Sequence, residues 1–391
     1  MITGIQIDRF KNLHHTSLIK MSRVNILSGA NGRGKSSFCQ SLLMLSQTWR
    51  RGMMESFLPS GMWKDLGTYD DIVFAFDNDK TISIHIITDA VSENDFELLY
   101  RRSHDNPTLG ELQDVKVGGM AINDDSGSSD EEDESSEGDE DGQSEVGIRL
   151  ASLRDFPSLM ALQRMYYVAA ERIAAPNHQL LDETTPYDYL APNGENVLNV
   201  LWKYRNSGCI ERVEEMLKRV LDDGRIKLET AGDRLILLIN SVDDGNYYQP
   251  VNVGYGYSYI LSLITAVVLA PKDSFIIVEN PEAHLHPSAQ ATMINELLTV
   301  AKERDIQLII ETHSDHVLNT ALRAVHDHRI DLKDLEVLFF SKSVNEDEIS
   351  ESKVRNLEIN RLGHIINPPK QFFEQYSIDL RALYTPSSHH E

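Results

Sequence analysis

The sequence predicts an α/β fold, a parallel core sheet combined with an N-terminal antiparallel β-meander and a helical lobe. Three observations carry this. An apolar run, Val24 to Leu27, enters a glycine-rich turn that leads into helical periodicity. A fully apolar strand, Phe275 to Val278, is followed by a helix pattern near Ser288–Lys302 and a second buried strand at Ile306–Ile310. Strand, helix, strand in that order marks a parallel sheet covered on both faces. Short strands at Ile72–Phe76, Thr81–Ile87 and Phe96–Tyr100 read as an antiparallel meander.

The elements follow in chain order. Ile2, Ile5, Ile7 and Phe10 begin the chain as strand. Ser36 to Arg50 reads as a helix with Phe38, Leu42, Leu43 and Leu45 on its apolar side. Residues 124–145 hold twelve Asp or Glu and no Lys or Arg, which is half of the net charge of −24. Mutual repulsion and the lack of apolar anchors predict a disordered, solvated insertion. An alternative use for it is a polyanion that fills a basic groove on a partner. Leu153–Tyr167 and Glu195–Leu221 have helical periodicity. Arg225–Glu229 and Arg234–Asn240 form a hairpin around Ala231-Gly232-Asp233. The uncharged stretch Val251–Pro271 has a continuous apolar part of only Tyr259–Ala270, too short for a span of ~20 residues. It is a buried core helix, and no membrane partner is expected. The expected divisions are 1–123 with the glycine-rich loop, 124–145 as the acidic insertion, 146–250 as helical lobe and hairpin, 251–340 as the second core lobe, and 341–391 as a small C-terminal domain.

With 391 residues, 41% of them hydrophobic, the chain can bury a large core, which excludes a fibrous or wholly disordered protein. Its acidity argues against non-specific nucleic-acid binding across the surface, although a local basic groove stays open. Two cysteines, Cys39 and Cys209, give neither a disulfide framework nor a CxxC zinc site. Met1 to Leu13 has no signal-peptide pattern, and a reducing cytoplasm is the expected location.

The strongest chemical signal is Gly29-Ala30-Asn31-Gly32-Arg33-Gly34-Lys35-Ser36, a G-x-x-x-x-G-K-[ST] loop between strand and helix, with Ser37 just beyond it. Its glycines let backbone N–H groups turn in around the α- and β-phosphates of a nucleotide, and the helix N-terminus favours negative charge. Lys35 would reach the β- and γ-phosphates and the Ser36 hydroxyl a Mg²⁺ ion. Such a site needs a carboxylate on a neighbouring strand end, and Glu279 closes Phe275–Glu279. Asn280-Pro281-Glu282-Ala283-His284-Leu285-His286-Pro287 follows it, and Ile310-Glu311-Thr312-His313-Ser314-Asp315 ends the second buried strand. Three strand ends should therefore converge on one edge of the sheet. A zinc cluster of His284, His286, His313 and His316 is disfavoured, because no Cys or third ligand lies close in sequence. Arg172 and Asn196, in the helical lobe, could touch nucleotide or DNA but read more simply as surface residues, and Cys39 as packing.

The loop, the ENPEAHLHP and THSDH segments and the opening Ile5-Gln6-Ile7-Asp8-Arg9-Phe10-Lys11-Asn12 together resemble the ABC-type ATPases of the SMC, RecF and OLD group. The tail Gly363-His364-Ile365-Ile366-Asn367-Pro368-Pro369-Lys370-Gln371-Phe372-Phe373 resembles a small uncharacterised domain of one bacterial branch found in phage-defence systems. The resemblance implies an ABC-ATPase head with ATP and Mg²⁺ as cofactors. It makes Gly29–Ser36 the Walker A loop, Glu279 the Walker B metal-holding acid, Ala283–Pro287 the D-loop and His313 the switch histidine. It places the signature motif at Val253–Ser258, with Gly254, Gly256 and Ser258 reaching the γ-phosphate of a partner protomer's nucleotide. A head-to-tail dimer, or a higher oligomer built from it, is implied, and so is a separate effector, since no Toprim nuclease domain follows His313. Asn280 stands where the group has its catalytic glutamate, which implies slow hydrolysis unless Glu282, Glu279 or His313 serves as base. The Q-loop glutamine has no clear counterpart, its candidate region being Trp63–Asp71. A DNA-repair ATPase that binds duplex DNA and a transporter motor are the competing classes.

Overall fold

In the computed structural model the described residues are 1–52, 55–89, 95–121, 162–182, 190–242, 244–344, 348–369, 372 and 384. The acidic run 124–145 and most of the tail beyond 369 lie outside them. The chain starts with β1 (Ile2–Phe10), β2 (Leu13–His15), β3 (Ile19–Lys20) and β4 (Val24–Ser28), then α1 (Lys35–Arg50), β5 (Ser56–Phe57) and the single turn α2 (Tyr69–Ile72). Next come β6 (Thr81–Thr88), β7 (Asp95–Arg102), β8 (Gly110–Val117), β9 (Met120–Ala121), β10 (Met165–Val168) and β11 (His178–Leu180). Helices α3 (Val197–Lys203) and α4 (Cys209–Leu221) precede the hairpin β12 (Arg225–Ala231) and β13 (Arg234–Asn240). The chain then runs through α5 (Tyr255–Leu269), β14 (Phe275–Glu279), α6 (Pro287–Glu303), β15 (Gln307–Glu311) and α7 (Asp315–His326) to β16 (Leu335–Val344) and β17 (Ser350–Asn356).

Three sheets result. The central one has the order β10-β14-β15-β4-β16-β17, parallel from β10 through β16, with β17 antiparallel at its edge. An eight-stranded antiparallel sheet contains the β6–β7–β8 meander, and a three-stranded sheet has the order β11-β13-β12. Alternation along the central strands divides the core in two. Phe275, Ile277 and Ile309 face the antiparallel sheet and α1, packing with Ile5, Phe10, Phe38 and Ile84. Ile276, Val278, Leu308 and Ile310 face the other way, onto the helices, with Leu263, Ile264, Leu297 and Leu318. With both faces covered, the strands have no need of polar alternation, which is why they read as continuous apolar runs. Helix α1 lies between two sheets, and every residue from Phe38 to Trp49 is buried.

Several expectations are corrected. Met165–Val168 is a strand paired with β14, not the end of a helix over 153–167, of which 153–161 lie outside the described residues. Its β-branched and aromatic content suits a strand buried in a sheet. Ile72–Phe76 is not a strand; a capping box at Thr68 and Asp71 closes a turn of helix, and Val73 makes only a single bridge to Phe10. The helix over 195–221 is two, because Gly208 adopts a left-handed conformation (φ 73°) between them. The region 146–250 is therefore not simply a helical lobe, since it adds a central strand and a small sheet. Nor does a boundary fall at 340/341: β16 runs through it and pairs with β17 inside the central sheet. Among the described residues no helix is long and apolar enough to cross a membrane.

One buried side chain joins the antiparallel and central sheets. Gln307, at the start of β15, accepts from Ile2 N (2.9 Å) and donates to Ile2 O (2.7 Å) and Ser22 O (2.9 Å). Gln307→Leu removes these three hydrogen bonds in the interior, Ser22 O alone keeping its second donor, Asn25 Nδ2 (2.7 Å), so it should destabilise the chain by about 2–4 kcal/mol. A lower urea midpoint at unchanged m-value is the expected readout.

Candidate functional site

The site is built where β4, β14 and β15 end. Register pairs Glu279 with Glu311 and Glu311 with Leu27, so the two carboxylates stand side by side at the level where the glycine-rich loop leaves β4. The two-residue period sends both toward the face that α1 covers, the same face as Ile277 and Ile309. The loop is shaped by glycines in conformations other residues avoid: Gly29 at φ 131°, Gly32 at φ 68° and Gly34 at φ 101°. A Cβ on Gly29 would stand 2.3 Å from the Phe340 carbonyl oxygen, so β16 packs against the loop's first residue. Ala30, Asn31, Gly32 and Ser36 are exposed, and the loop opens outward.

Lys35 Nζ donates to the Gly29 and Ala30 carbonyls at 2.8 and 3.1 Å. Burial pulls its pKa below the usual lysine value, with Glu311 acting against that shift. Ser36 Oγ donates to Glu311 Oε1 at 2.9 Å. Glu311 and Glu279 are only 5% and 6% exposed. Burial and the neighbouring Glu279 carboxylate push the Glu311 carboxyl up to about 7, with the Ser36 hydroxyl and Lys35 opposing. Ala170 N donates to Glu279 Oε2 at 3.0 Å, but Glu279 Oε1 and Glu311 Oε2 are buried without partners. Among the described residues no group of three His, Cys, Asp or Glu gathers around one point. Two carboxylates and a hydroxyl beside a phosphate loop suit Mg²⁺, which uses one or two carboxylates together with substrate phosphates. The residues present therefore fit a Mg²⁺–nucleotide.

The segment after β14 is fixed by backbone. Asn280 adopts φ 46°, and its N–H donates to Glu311 O at 2.8 Å. Its side-chain Oδ1 is buried and unpartnered. Glu282 Oε1 accepts from Thr312 Oγ1 (2.8 Å) and His313 N (3.0 Å), so this carboxylate positions the turn that carries His313. His313 is exposed, and partial burial together with the Lys35 ammonium lowers its pKa. His284 packs edge-on against Tyr255 and Tyr259, and His286 caps α6 by accepting from Ser288 N; neither faces His313 as a metal ligand.

At the N-terminus of α5, Gly254 is exposed and Gly256 half-buried, a Cβ on the latter meeting His284 O at 3.3 Å. Ser258 differs from expectation. It is 2% exposed and its hydroxyl donates to Tyr255 O at 3.1 Å, because one turn inside a helix that packs on the core its side chain points inward. Asn196, expected at the surface, is half-buried and caps the turn before α3 by accepting from Ala191 N at 2.8 Å.

Two residues of this site were not legible as such. Glu311 was only a polar strand tip in sequence; the signal was a charge ending an apolar run one strand away from another such charge. Arg172 is not a surface residue but 6% exposed. Its guanidinium donates to Ala169 O (2.8 Å), Glu279 O (2.7 Å) and Asn280 O (2.8 Å), and it lies 4.7 Å over the Tyr259 ring of α5. No local pattern announces such a contact across the fold. The Trp63–Asp71 segment contains no glutamine.

A family model described as "AAA domain, putative AbiEii toxin, Type IV TA system" matches residues 24–319, three quarters of the chain. The DNA replication and repair protein RecF of Nitrosococcus oceani is 43% identical over 63 residues, a match that spans 16% of this chain and 17% of that protein's length. The crystal structure of an Smc head bound to the C-winged helix domain of ScpA superposes with a TM-score of 0.51 at 15% identity, covering 91% of this chain and 98% of that one. The fold is thus that of an SMC-type head.

The Arg172 contacts yield a stability test. Arg172→Met removes a charged donor from three backbone carbonyls and should cost about 3 kcal/mol or more. Arg172→Lys should recover only part, since an ammonium lacks the planar fork. Thermal unfolding of the three proteins ranks them.

Proposed function

The chain belongs to that AAA-domain family, and we propose that it is an ATPase of the SMC and RecF kind that binds ATP with Mg²⁺ on the Gly29–Ser37 loop and uses the bound nucleotide to join two copies head to tail. One observation supports this above others: the Lys35 and Ser36 side chains and the loop's backbone stand directly over a pair of buried, incompletely partnered carboxylates. In this reading the loop's N–H groups hold the α- and β-phosphates, Lys35 leaves the Gly29 and Ala30 carbonyls for the β- and γ-phosphates, and Ser36 and Glu279 hold the cation. Bound Mg²⁺ would neutralise phosphate charge as the terminal phosphoryl group departs. Gly254 and Gly256 at the N-terminus of α5 face the partner's nucleotide, beside the exposed Tyr255 and Val251. His313, held by Glu282, stands at the γ-phosphate end.

Hydrolysis is slow in this reading. The residue after Glu279 is Asn280, and a carboxamide does not take a proton from attacking water. Glu282 is occupied in positioning Thr312 and His313, which counts against it as the substitute base. A long-lived ATP-bound dimer suits a sensor that controls a separate effector, a nuclease or toxin, in bacterial phage defence. The tail's resemblance to a defence-associated branch favours that role over a DNA-repair ATPase, which the net charge of −24 disfavours. The short RecF match keeps DNA binding as the second reading, and a salt-dependent DNA-binding assay separates the two.

Lys35→Ala should abolish ATP binding and any ATP-dependent dimer, as read by calorimetry and light scattering; wild-type affinity in this variant rules out the assigned loop. Asn280→Glu should raise steady-state turnover by about tenfold or more if the missing base limits the rate. Turnover that is already fast in wild type and flat in the variant contradicts the slow-site reading.

A further inference from the structure

Glu311 has no assigned role, yet its surroundings are those of a ligand. It is 5% exposed, ends a strand at the same level as Glu279, and keeps Oε2 buried without a hydrogen-bond partner while Oε1 accepts from Ser36, with the Cys39 thiol also beside the carboxylate. Adjacent strands stand about 4.8 Å apart, so two carboxylates at one level on one face share a single small volume. Two such groups out of water, each with an empty oxygen, are costly unless a cation or protons offset them. Lys35 does not do so directly, because its hydrogen bonds go to the loop carbonyls. The Ser36 hydroxyl, one of the proposed ligands, already touches Glu311, not Glu279. A cation taken up at the Ser36 hydroxyl would therefore lie within reach of Glu311.

We propose that Glu311 and Glu279 together form a two-carboxylate divalent-cation site, completed by the Ser36 hydroxyl and the nucleotide's phosphates. This rests on the triphosphate reading of the Gly29–Ser36 loop. Glu279 approaches from β14, Glu311 from β15 and Ser36 from the first turn of α1, so the three ligands come from three rigid elements. Such a site gives the cation a higher affinity than one carboxylate provides and admits Mn²⁺ alongside Mg²⁺.

The test uses the full chain, Mn²⁺ and a non-hydrolysable ATP analogue. Free Mn²⁺ is followed by electron paramagnetic resonance, and analogue binding in EDTA is measured separately. Glu311→Gln should weaken Mn²⁺ uptake by about tenfold or more without weakening metal-free analogue binding, since it removes a negative charge beside the phosphates. Equal Mn²⁺ affinity in wild type and Glu311→Gln overturns the proposal and leaves the nucleotide site intact. Wild type that takes up no analogue under either condition overturns the nucleotide reading, and this proposal with it. Should Glu311→Gln fail to fold, Glu311→Asp replaces it: its shorter arm should weaken Mn²⁺ binding by a smaller factor, and parity with wild type again overturns the assignment.

Discussion

The parallel register of β4, β14 and β15 is the constraint on which the site depends. It brings Leu27, Glu279 and Glu311 to one level, and from that level the chain turns into the glycine-rich loop, the Asn280–Pro287 turn and the Thr312–Ser314 turn. A shift of one residue in any strand would reverse which face its side chains meet. Glu279 would then point into the helical side of the core, toward Leu308 and Ile310 of the neighbouring strand, away from Ser36 and the glycine-rich loop. The apolar alternation that splits the core into two clusters thus also decides where charge is placed. Packing and chemistry are one specification here, since α1 both covers that face and supplies Lys35 and Ser36 at its first turn.

Arg172 extends the site beyond its own strands. Its guanidinium grips the last carbonyl of β14 and the first carbonyl of the turn, and its plane meets the Tyr259 ring. Tyr259 in turn donates to Ala170 O and packs with His284 and Tyr255. A contiguous path therefore runs from the backbone at Glu279 to the first turn of α5, the helix whose N-terminus faces the second copy in the proposed dimer. Such a path is a physical connection, and coupling along it is a quantity for double-mutant cycles to measure.

Much of this was legible in sequence, and the pattern of what was not has physical causes. The loop, the two apolar strands and α6 are local: each is specified by residues within one segment, and the structure reproduces their bounds to within a residue or two. What escaped depends on contacts between distant segments. Met165–Val168 is a strand only because β14 offers an edge to it. Arg172 is buried only because the end of β14 and the ring of Tyr259 come to it across about a hundred residues of chain. Ser258 carries an exposed-looking motif, yet helical geometry turns it inward one turn after Gly254. Glu311 was visible as a letter but not as half of a pair, because pairing is set by register, and register is not written in either strand alone.

Asn280 can be understood from backbone as well as from chemistry. Directly after Glu279 the chain must reverse, and Asn280 does so at φ 46°, with its N–H on Glu311 O and its carbonyl taken by Arg172. Asparagine tolerates the left-handed region better than most residues, whereas a glutamate there costs about 1 kcal/mol. The residue type that suits this turn is therefore one that lacks a base. The proposed slow hydrolysis and a well-seated turn would follow from the same side chain, and neither requires the other. Selection for a persistent nucleotide-bound state would keep asparagine, and so would selection for an unstrained turn. The two are separated by substituents that share the backbone preference but not the carboxamide. Glycine at 280 would preserve the turn and also lack a base, so it should hydrolyse as slowly as asparagine. A carboxylate on the shorter aspartate would keep left-handed tolerance, while its reach toward a water over Lys35 would be one methylene less than glutamate's.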